Sequence, residues 1–283
     1  MKIILKLMGG LGNQLFQLSY ALKLLNFYKA EMIIVDLSYY DNHHLRMPEI
    51  TKFKMKDLPI KFVRKYNSLN YIASTELFHI LQALSKKIIN KKLECLFPHL
   101  MHKGYFFTDC KICDEPANLN LNELYLWGYF QDTNALCSKK LIKHVIDSIS
   151  YDSDDFKDKL KEASNPVAIS IRCGEDYIKN GYPVVDGEYY SKAINFIESH
   201  KGKSTYYIFS DDLKNALSIL PKDKKYIPIH NTSPIIDLLK MSCCNDFIIS
   251  NSSFSWWGAY LSENIRDKMI IYPQRWDSYT MSV

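Results

Sequence analysis

Strand-length apolar runs alternate with helix-length amphipathic runs at both ends of this chain, and that alternation leaves few architectures open. Near the start, Ile3 to Met8 reads as a strand and Gly9-Gly10-Leu11-Gly12-Asn13-Gln14 as a glycine loop. Leu15 to Ala30 then reads as a helix and Met32 to Asp36 as a second strand. This is a βαβ opening. From Tyr39 to Leu121 the pattern loosens into irregular and helical pieces, before Leu124 to Gly128 supplies another strand-like run. A polar segment, Ser150 to Asn165, marks a domain junction. Beyond it Val167 to Arg172, Tyr206 to Ser210, Tyr226 to Ile229, Asp246 to Ser250 and Met269 to Tyr272 read as strands. Tyr189 to His200, Leu213 to Leu220, Ile235 to Cys243 and Phe254 to Glu263 read as the helices among them. The expected class is α/β, with a C-terminal parallel sheet covered by helices. In such sheets ligands sit beyond the carboxyl ends of the strands.

A chain of 283 residues is long enough for two domains, which we expect at 1–150 and 151–283. With 47% hydrophobic and 24% charged residues the composition is that of a globular protein. No stretch approaches the roughly 20 apolar residues that span a bilayer, and the lysine-interrupted opening is too short for a signal peptide. The expected location is cytoplasmic. Seven cysteines, Cys95, Cys110, Cys113, Cys137, Cys173, Cys243 and Cys244, are an odd and scattered set, so reduced thiols are expected. Cys110-Lys111-Ile112-Cys113 has the spacing of a zinc or redox pair. No second such pair follows, and His99 and His102 stand upstream in a different order.

The net charge of +5 is local: Thr51 to Leu100 holds ten Lys/Arg against Asp57, Glu76 and Glu94, a net +7, leaving −2 elsewhere. Within it, Leu77 to Leu93 sets Leu77, Ile80, Leu81, Leu84, Ile88 and Ile89 against Lys86, Lys87, Lys91 and Lys92. This is either an amphipathic helix resting on anionic membrane or a core-packing helix with a solvated lysine face. No nucleic-acid reader motif accompanies the charge, so nucleic acid is not an expected partner.

The chemistry-bearing residues gather at the predicted carboxyl edge of the second half: Ser170-Ile171-Arg172-Cys173-Gly174-Glu175-Asp176-Tyr177, Ser210-Asp211-Asp212, Asp237, and Asn251-Ser252-Ser253-Phe254-Ser255. The last of these joins a strand to a helix start, where backbone N–H groups and serine hydroxyls suit a phosphate; an ordinary serine cap is the competing reading. Arg172 at a strand end offers a planar, permanent cation matched to phosphate oxygens. Such a group stabilises the negative charge that appears on a nucleoside diphosphate when a sugar leaves it. Asp211 and Asp212 either hold a divalent ion or orient Arg172 and cap the next helix. The opening loop fails as a dinucleotide fingerprint, since Leu15 occupies the third glycine position. It reads instead as a cleft-lining loop in which Gly10 and Gly12 permit close approach and Asn13 and Gln14 offer amides to sugar hydroxyls, or as a plain tight turn. Trp256 and Trp257 are expected to fill core.

Together Gly9 to Gln17, Gly128-Tyr129-Phe130-Gln131, Ile171 to Tyr177, Phe209 to Asp212 and Asn251 to Leu261 resemble the bacterial α-1,2-fucosyltransferases, glycosyltransferase family 11. The resemblance runs in order from residue 9 to about Trp276. It implies a GT-B-like fold of two Rossmann-like domains, the first on the acceptor side and the second binding GDP-fucose. It also implies inverting transfer of L-fucose from GDP-β-L-fucose to the 2-hydroxyl of a terminal galactose, with no metal or other cofactor. The acceptor is expected to be a bacterial surface glycan, such as an O-antigen repeat still attached to its lipid carrier. Carried over residue by residue, Arg172 looks like the diphosphate arginine, Asp237 is similar to the acidic residue that reads guanine, and Ser252, Ser253, Phe254 and Ser255 look like the phosphate turn.

The family pattern His-x-Arg-Arg-Gly-Asp-Tyr is altered here: Ser170 stands for the histidine, Cys173 for the second arginine, and one extra acidic residue precedes Tyr177. Either Glu175 or Asp176 matches the family aspartate. Both are candidates for the catalytic carboxylate beside Arg172 or for a structural partner to it. Two other readings stay open: the same fold with another donor or linkage, and a non-catalytic glycan- or nucleotide-binding protein.

Overall fold

The computed structural model describes residues 1–69, 71–72, 76, 80, 97–108, 114–149, 154–179, 181–230, 233–263 and 267–274. The basic segment 77–93, Ile80 apart, and the Cys110/Cys113 pair lie outside the described residues. The chain divides into two compact units, Met1–Ile149 and Ser150–Val283.

The first unit is a five-stranded sheet of β1 (Lys2–Lys6), β2 (Met32–Asp36), β3 (Ile60–Val63), β4 (Tyr105–Thr108) and β5 (Glu123–Gly128), in the order β3-β2-β1-β5-β4. Every pairing is parallel. Ile3, Ile4 and Leu5 are all fully buried, as befits a central strand covered on both faces. Helix α1 (Leu11–Phe27) packs on β1 and β2. It begins four residues before the expected Leu15, because Gly10 is extended (φ −85°, ψ 177°) and the helix starts directly after it. It ends before the expected Ala30, because Lys29 turns left-handed at φ 50°. Gly12, Asn13 and Gln14 therefore belong to the first turn of a helix rather than to a loop. A short helix α2 (Phe97–Met101) precedes β4, and α3 (Lys139–Asp147), capped by Ser138 Oγ on the Leu141 N–H, closes the unit.

β3 and β4 fall in the stretch read as irregular and helical. Both are four-residue edge strands, too short to show an alternation.

The second unit is also a five-stranded parallel sheet: β6 (Pro166–Ile171), β7 (Thr205–Ser210), β8 (Tyr226–Pro228), β9 (Asp246–Ile248) and β10 (Ile270–Ile271), in the order β10-β9-β6-β7-β8. Its helices are α4 (Asp154–Glu162), α5 (Glu175–Lys179), α6 (Gly187–Lys201), α7 (Leu213–Ile219), α8 (Pro234–Ser242) and α9 (Ser253–Leu261). The core sets Val167, Ile169 and Ile171 of β6 against Tyr190, Ile194 and Ile197 of α6. The polar segment taken as a junction contains α4. Phe156 and Leu160, one turn apart, are both buried, and Phe156 meets Tyr207 edge-on at 5.6 Å. Its charges sit outside as Lys159–Asp155 and Lys161–Asp158 pairs.

In each unit one strand is inserted back beside the first. β6 leads to β7 and β8 on one side while β9 and β10 lie on the other, so the chain departs in opposite directions after β6 and after β9. The crevice beyond these two carboxyl ends is where such a sheet takes a ligand.

Among the described residues no helix is long and apolar enough to cross a membrane. The described cysteines Cys137, Cys173, Cys243 and Cys244 are unbridged.

Candidate active site

Arg172 follows the last residue of β6, and its guanidinium is held from two sides. Nη1 lies 2.7 Å from Asp211 Oδ2 and Nη2 lies 3.1 Å from Asp176 Oδ2, with its side chain 22% exposed. Asp211, at the end of neighbouring β7, also accepts hydrogen bonds from the Cys173 N–H at 3.0 Å and the Gly174 N–H at 2.9 Å. The carboxylate is thereby tied to the backbone of the loop it serves. Gly174 makes this approach possible: a Cβ there would stand 2.2 Å from Asp211 Oδ2. Asp212 turns away to cap α7, accepting from the Asn215 N–H at 3.0 Å. The two adjacent carboxylates thus have separate partners, and among the described residues no group of three or more His, Cys, Asp or Glu is arranged to hold a metal ion.

The two acidic candidates after Gly174 separate clearly. Asp176 pairs with Arg172, whereas Glu175 pairs with Lys179 at 2.6 Å on the solvent side, its side chain 81% exposed. Of the two alternatives, Asp176 and not Glu175 is the carboxylate that reaches Arg172. Neighbouring residues on a helix point about 100° apart, so only one of the pair reaches the arginine.

The turn after β9 lies beside this loop. The Ser250 N–H donates to the Ser170 carbonyl at 3.1 Å, and Asn251 Oδ1 accepts from the Tyr177 hydroxyl at 2.8 Å. Ser252 is the N-cap of α9 with an extended backbone, but its side chain makes no cap hydrogen bond. The first N–H groups of a helix have no acceptor within it, and Ser252, Ser253 and Phe254 are half-buried at this end. Ser255 differs. Its hydroxyl is fully buried, 2.6 Å from Ser170 Oγ and 3.4 Å from Ser250 Oγ. Ser170 and Ser255 were expected to reach a donor; instead they bond each other and pin α9 to β6. Trp256 and Trp257 are core residues, as expected, at 1% and 0% exposure.

The altered family positions are both inward. Cys173 is buried in the β6–α6 core, its thiol 3.7 Å from Ser210 Oγ and 3.5 Å from the Asp212 carbonyl, and burial raises its pKa above the ordinary thiol value. At Ser170 the hydroxyl serves the Ser255 contact just described.

Asp237 lies in the first turn of α8, which packs on α9. Gly258 lets the two helices meet, since a Cβ there would fall 2.2 Å from Met241 Sδ. Asp237 is 6% exposed, and among the described residues its Oδ1 has no hydrogen-bond partner. Burial lifts its pKa from 3.8 to about 6, with Lys240 acting weakly the other way. An unpartnered buried carboxylate is costly.

In the first unit the glycine turn lies at the equivalent switch, between β1 and β5. Gly9 has φ 75°, and a Cβ on it would stand 2.8 Å from Asn13 Nδ2; only glycine fits. Gly10 is the N-cap of α1. Asn13 Oδ1 accepts from Gln131 Nε2 at 2.7 Å, joining two motifs far apart in sequence. Gln14 was expected to meet a donor, but it is fully buried and saturated. Its amide donates to the Gly9 carbonyl, Tyr40 Oη and the Met47 carbonyl at 2.9, 2.9 and 2.7 Å, and its oxygen accepts from the Ile50 N–H. Gly12 is likewise buried. Both are structural.

The two parallel α/β units, with an arginine and a helix start lacking a side-chain cap at the switch point of the second, form a fold of GT-B-like class. The family model for glycosyl transferase family 11 matches residues 2–282, and the chain belongs to that family. Among curated relatives, the O-antigen biosynthesis glycosyltransferase WbnK of Escherichia coli is 28% identical, over 95% of this chain and 93% of its own. An alpha-1,2-colitosyltransferase of Escherichia coli is 24% identical, over 97% and 92%. Among solved structures, fucosyltransferase NodZ from Bradyrhizobium superposes with a TM-score of 0.55 at 11% identity, covering 92% of this chain and 91% of that one. NodZ co-crystallised with GDP gives the same TM-score over 92% of each chain. At that identity the likeness is one of fold.

Proposed function

We propose that this glycosyltransferase is an inverting galactoside α-1,2-fucosyltransferase, moving L-fucose from GDP-β-L-fucose to the 2-hydroxyl of a terminal galactose on a bacterial surface glycan. The observation that carries the reading is Arg172, fixed by Asp211 and Asp176 at the carboxyl end of β6 and next to the start of α9. The acceptor hydroxyl attacks the anomeric carbon from the face opposite the leaving group. The bond to the β-phosphate oxygen breaks, and its electron pair departs with GDP. Arg172 and the N–H groups at Ser253 and Phe254, the first two residues of α9, meet that charge. The acceptor's proton passes to Asp176 or to water; with a dissociative, cation-like sugar a strong base is unnecessary. We assign the orphan carboxylate of Asp237 to the N–H edge of guanine, and Gly10 and Asn13 to sugar hydroxyls. A metal-free reaction is part of the proposal. Its support is that Asp211, the carboxylate nearest the arginine, is already engaged by a guanidinium and two backbone N–H groups.

A second reading keeps the linkage and changes the donor to a colitosyl nucleotide, supported by the name of the 24% identical relative. The O-antigen name of WbnK supports a bacterial surface glycan as the acceptor. The decisive experiment incubates the purified protein, with and without EDTA, with GDP-fucose or GDP-colitose and a panel of β-galactosides, and determines linkage by NMR. A fucosyl product at any position other than O2 refutes the linkage, dependence on added Mn²⁺ or Mg²⁺ refutes the metal-free step, and GDP binding without any turnover favours the non-catalytic reading.

A further inference from the structure

Tyr177 has no role in the transfer described above, yet it touches both halves of the diphosphate site. It stands on α5, five residues after Arg172, and is 8% exposed. The Arg172 Cζ lies 5.4 Å from its ring centroid, a distance at which a guanidinium is attracted to an aromatic face. Its hydroxyl donates to Asn251 Oδ1 at 2.8 Å, and Asn251, itself 7% exposed, opens the turn that leads into α9. Tyr182 stacks on Tyr177 at 5.0 Å and 24°, which restricts how the ring can tilt.

We infer that Tyr177 is a positioning residue that couples Arg172 to the turn after β9, so that guanidinium and helix start present themselves to one diphosphate together. The inference rests on the reading of those two elements as the donor's diphosphate site. Its physical basis is the division of labour within one side chain. The ring supports the plane of the guanidinium, which Asp211 and Asp176 hold at its Nη atoms. The hydroxyl, in a nearly dry setting where a hydrogen bond is strong, holds the first residue of the turn. The loops that carry Arg172 and Asn251 leave the sheet in different directions, and this side chain spans them.

A core tyrosine with no such role would tolerate phenylalanine. The test is therefore calorimetric binding of GDP and of guanosine to wild type, Tyr177→Phe, Asn251→Ala and the double variant, with the thermal midpoint of each. Tyr177→Phe keeps the ring and loses the hydroxyl, whose short bond is the 2.8 Å one to Asn251 Oδ1 and whose contact with the Pro183 carbonyl is long, at 3.5 Å. We expect roughly fivefold weaker GDP binding, the size of one hydrogen bond, with guanosine affinity unchanged and the midpoint within a few degrees of wild type. Asn251→Ala should add nothing in the Tyr177→Phe background. Tyr177→Leu, which also removes the aromatic bed, should lower kcat as well as GDP affinity. Unchanged GDP binding by Tyr177→Phe overturns the inference. So do additive losses in the double variant, or a parallel loss of guanosine binding that marks general loosening. If wild type itself binds guanosine but gains nothing from the diphosphate, the functional reading fails and the coupling with it. If wild type gains and Tyr177→Phe gains equally, the coupling alone is wrong.

Discussion

Replacing Asp237 by asparagine should favour the ligand-free fold over wild type increasingly as pH rises and should weaken nucleotide binding, and the two effects have one cause. The carboxylate is 6% exposed, its Oδ1 has no partner among the described residues, and burial has raised its pKa from 3.8 to about 6. Each tenfold change in proton affinity is worth about 1.4 kcal/mol, so keeping Asp237 ionised costs the folded state about 3 kcal/mol at pH 8. The sign follows from linkage. Between pH 4 and 6 the folded protein retains a proton that the unfolded chain has lost, so this contribution destabilises the fold as pH rises through that window and levels off above about pH 7. Asparagine does not titrate. Its own unsatisfied amide shifts stability by a constant, so the informative quantity is the change in the difference between variant and wild type. From pH 5 to pH 8 that difference should grow in favour of Asp237→Asn by about 1–2 kcal/mol, on the order of 4 °C in thermal midpoint. Over the same range GDP should stabilise wild type more as Asp237 ionises, because only the carboxylate accepts both guanine N–H donors. The variant should bind GDP at least tenfold more weakly at pH 8, the usual cost of losing a charged hydrogen bond. Differential scanning fluorimetry at the two pH values, with and without GDP, reads all of this. A pH-independent difference refutes the burial argument. A variant that binds GDP normally removes Asp237 from the base site.

Arg172→Ala should lower kcat/KM with GDP-fucose on the order of a hundredfold or more, the usual scale for a group that stabilises leaving-group charge; retention of full activity in the transfer assay removes it from the mechanism. Gly174→Ala forces a methyl to within 2.2 Å of the present position of Asp211 Oδ2. Because that carboxylate orients the arginine, kcat should fall about tenfold or more while guanosine affinity is preserved. An unimpaired Gly174→Ala enzyme contradicts the coupling of loop and arginine.

All five strands of the second sheet were legible, and the inner three, β6, β7 and β9, are apolar runs buried on both faces that mark themselves: Val167 to Arg172 was expected and Pro166–Ile171 formed. In the first sheet β3 and β4 were missed, because they are four-residue strands within a long stretch of mixed pattern, even though Tyr105-Phe106-Phe107-Thr108 directly follows Gly104. The polar stretch Ser150 to Asn165 is expected as the domain junction because its charges outnumber its apolar residues; it opens the second unit, and Phe156 and Leu160 suffice to dock its middle as α4. At the site, strand ends and residue types brought Arg172, Asp211 and Asn251 to one edge, and this rests on periodicity alone. Which carboxylate reaches the arginine does not, since it depends on the phase of a helix. Nor could a sequence reveal that Ser170 and Ser255 satisfy each other or that Gln14 is saturated by Gly9, Tyr40, Met47 and Ile50. Those facts are pairings between residues far apart along the chain, as is the Tyr177–Asn251 bond. Tyr177 had one available signal, its place within the same motif as Arg172.

One guanidinium between two carboxylates is a poor anion receptor by charge alone, and this bears on the proposed role of the site in binding a diphosphate. Asp211 is fixed by two backbone N–H groups and has little freedom to leave. Asp176 has a side chain 30% exposed and meets Nη2 at the longer distance of 3.1 Å. An incoming phosphate oxygen therefore competes with Asp176 and not with Asp211 for the arginine. Removing the competing charge with Asp176→Asn should tighten GDP binding several-fold, because like charges near a partly exposed site repel only moderately. If Asp176 also takes the acceptor's proton, kcat should fall in the same variant, so affinity and turnover move in opposite directions. Binding of GDP by calorimetry and turnover of GDP-fucose at saturating donor separate the two. Weaker GDP binding by Asp176→Asn would mean that the carboxylate chiefly orders Arg172 for the ligand, and the exchange described here would be wrong.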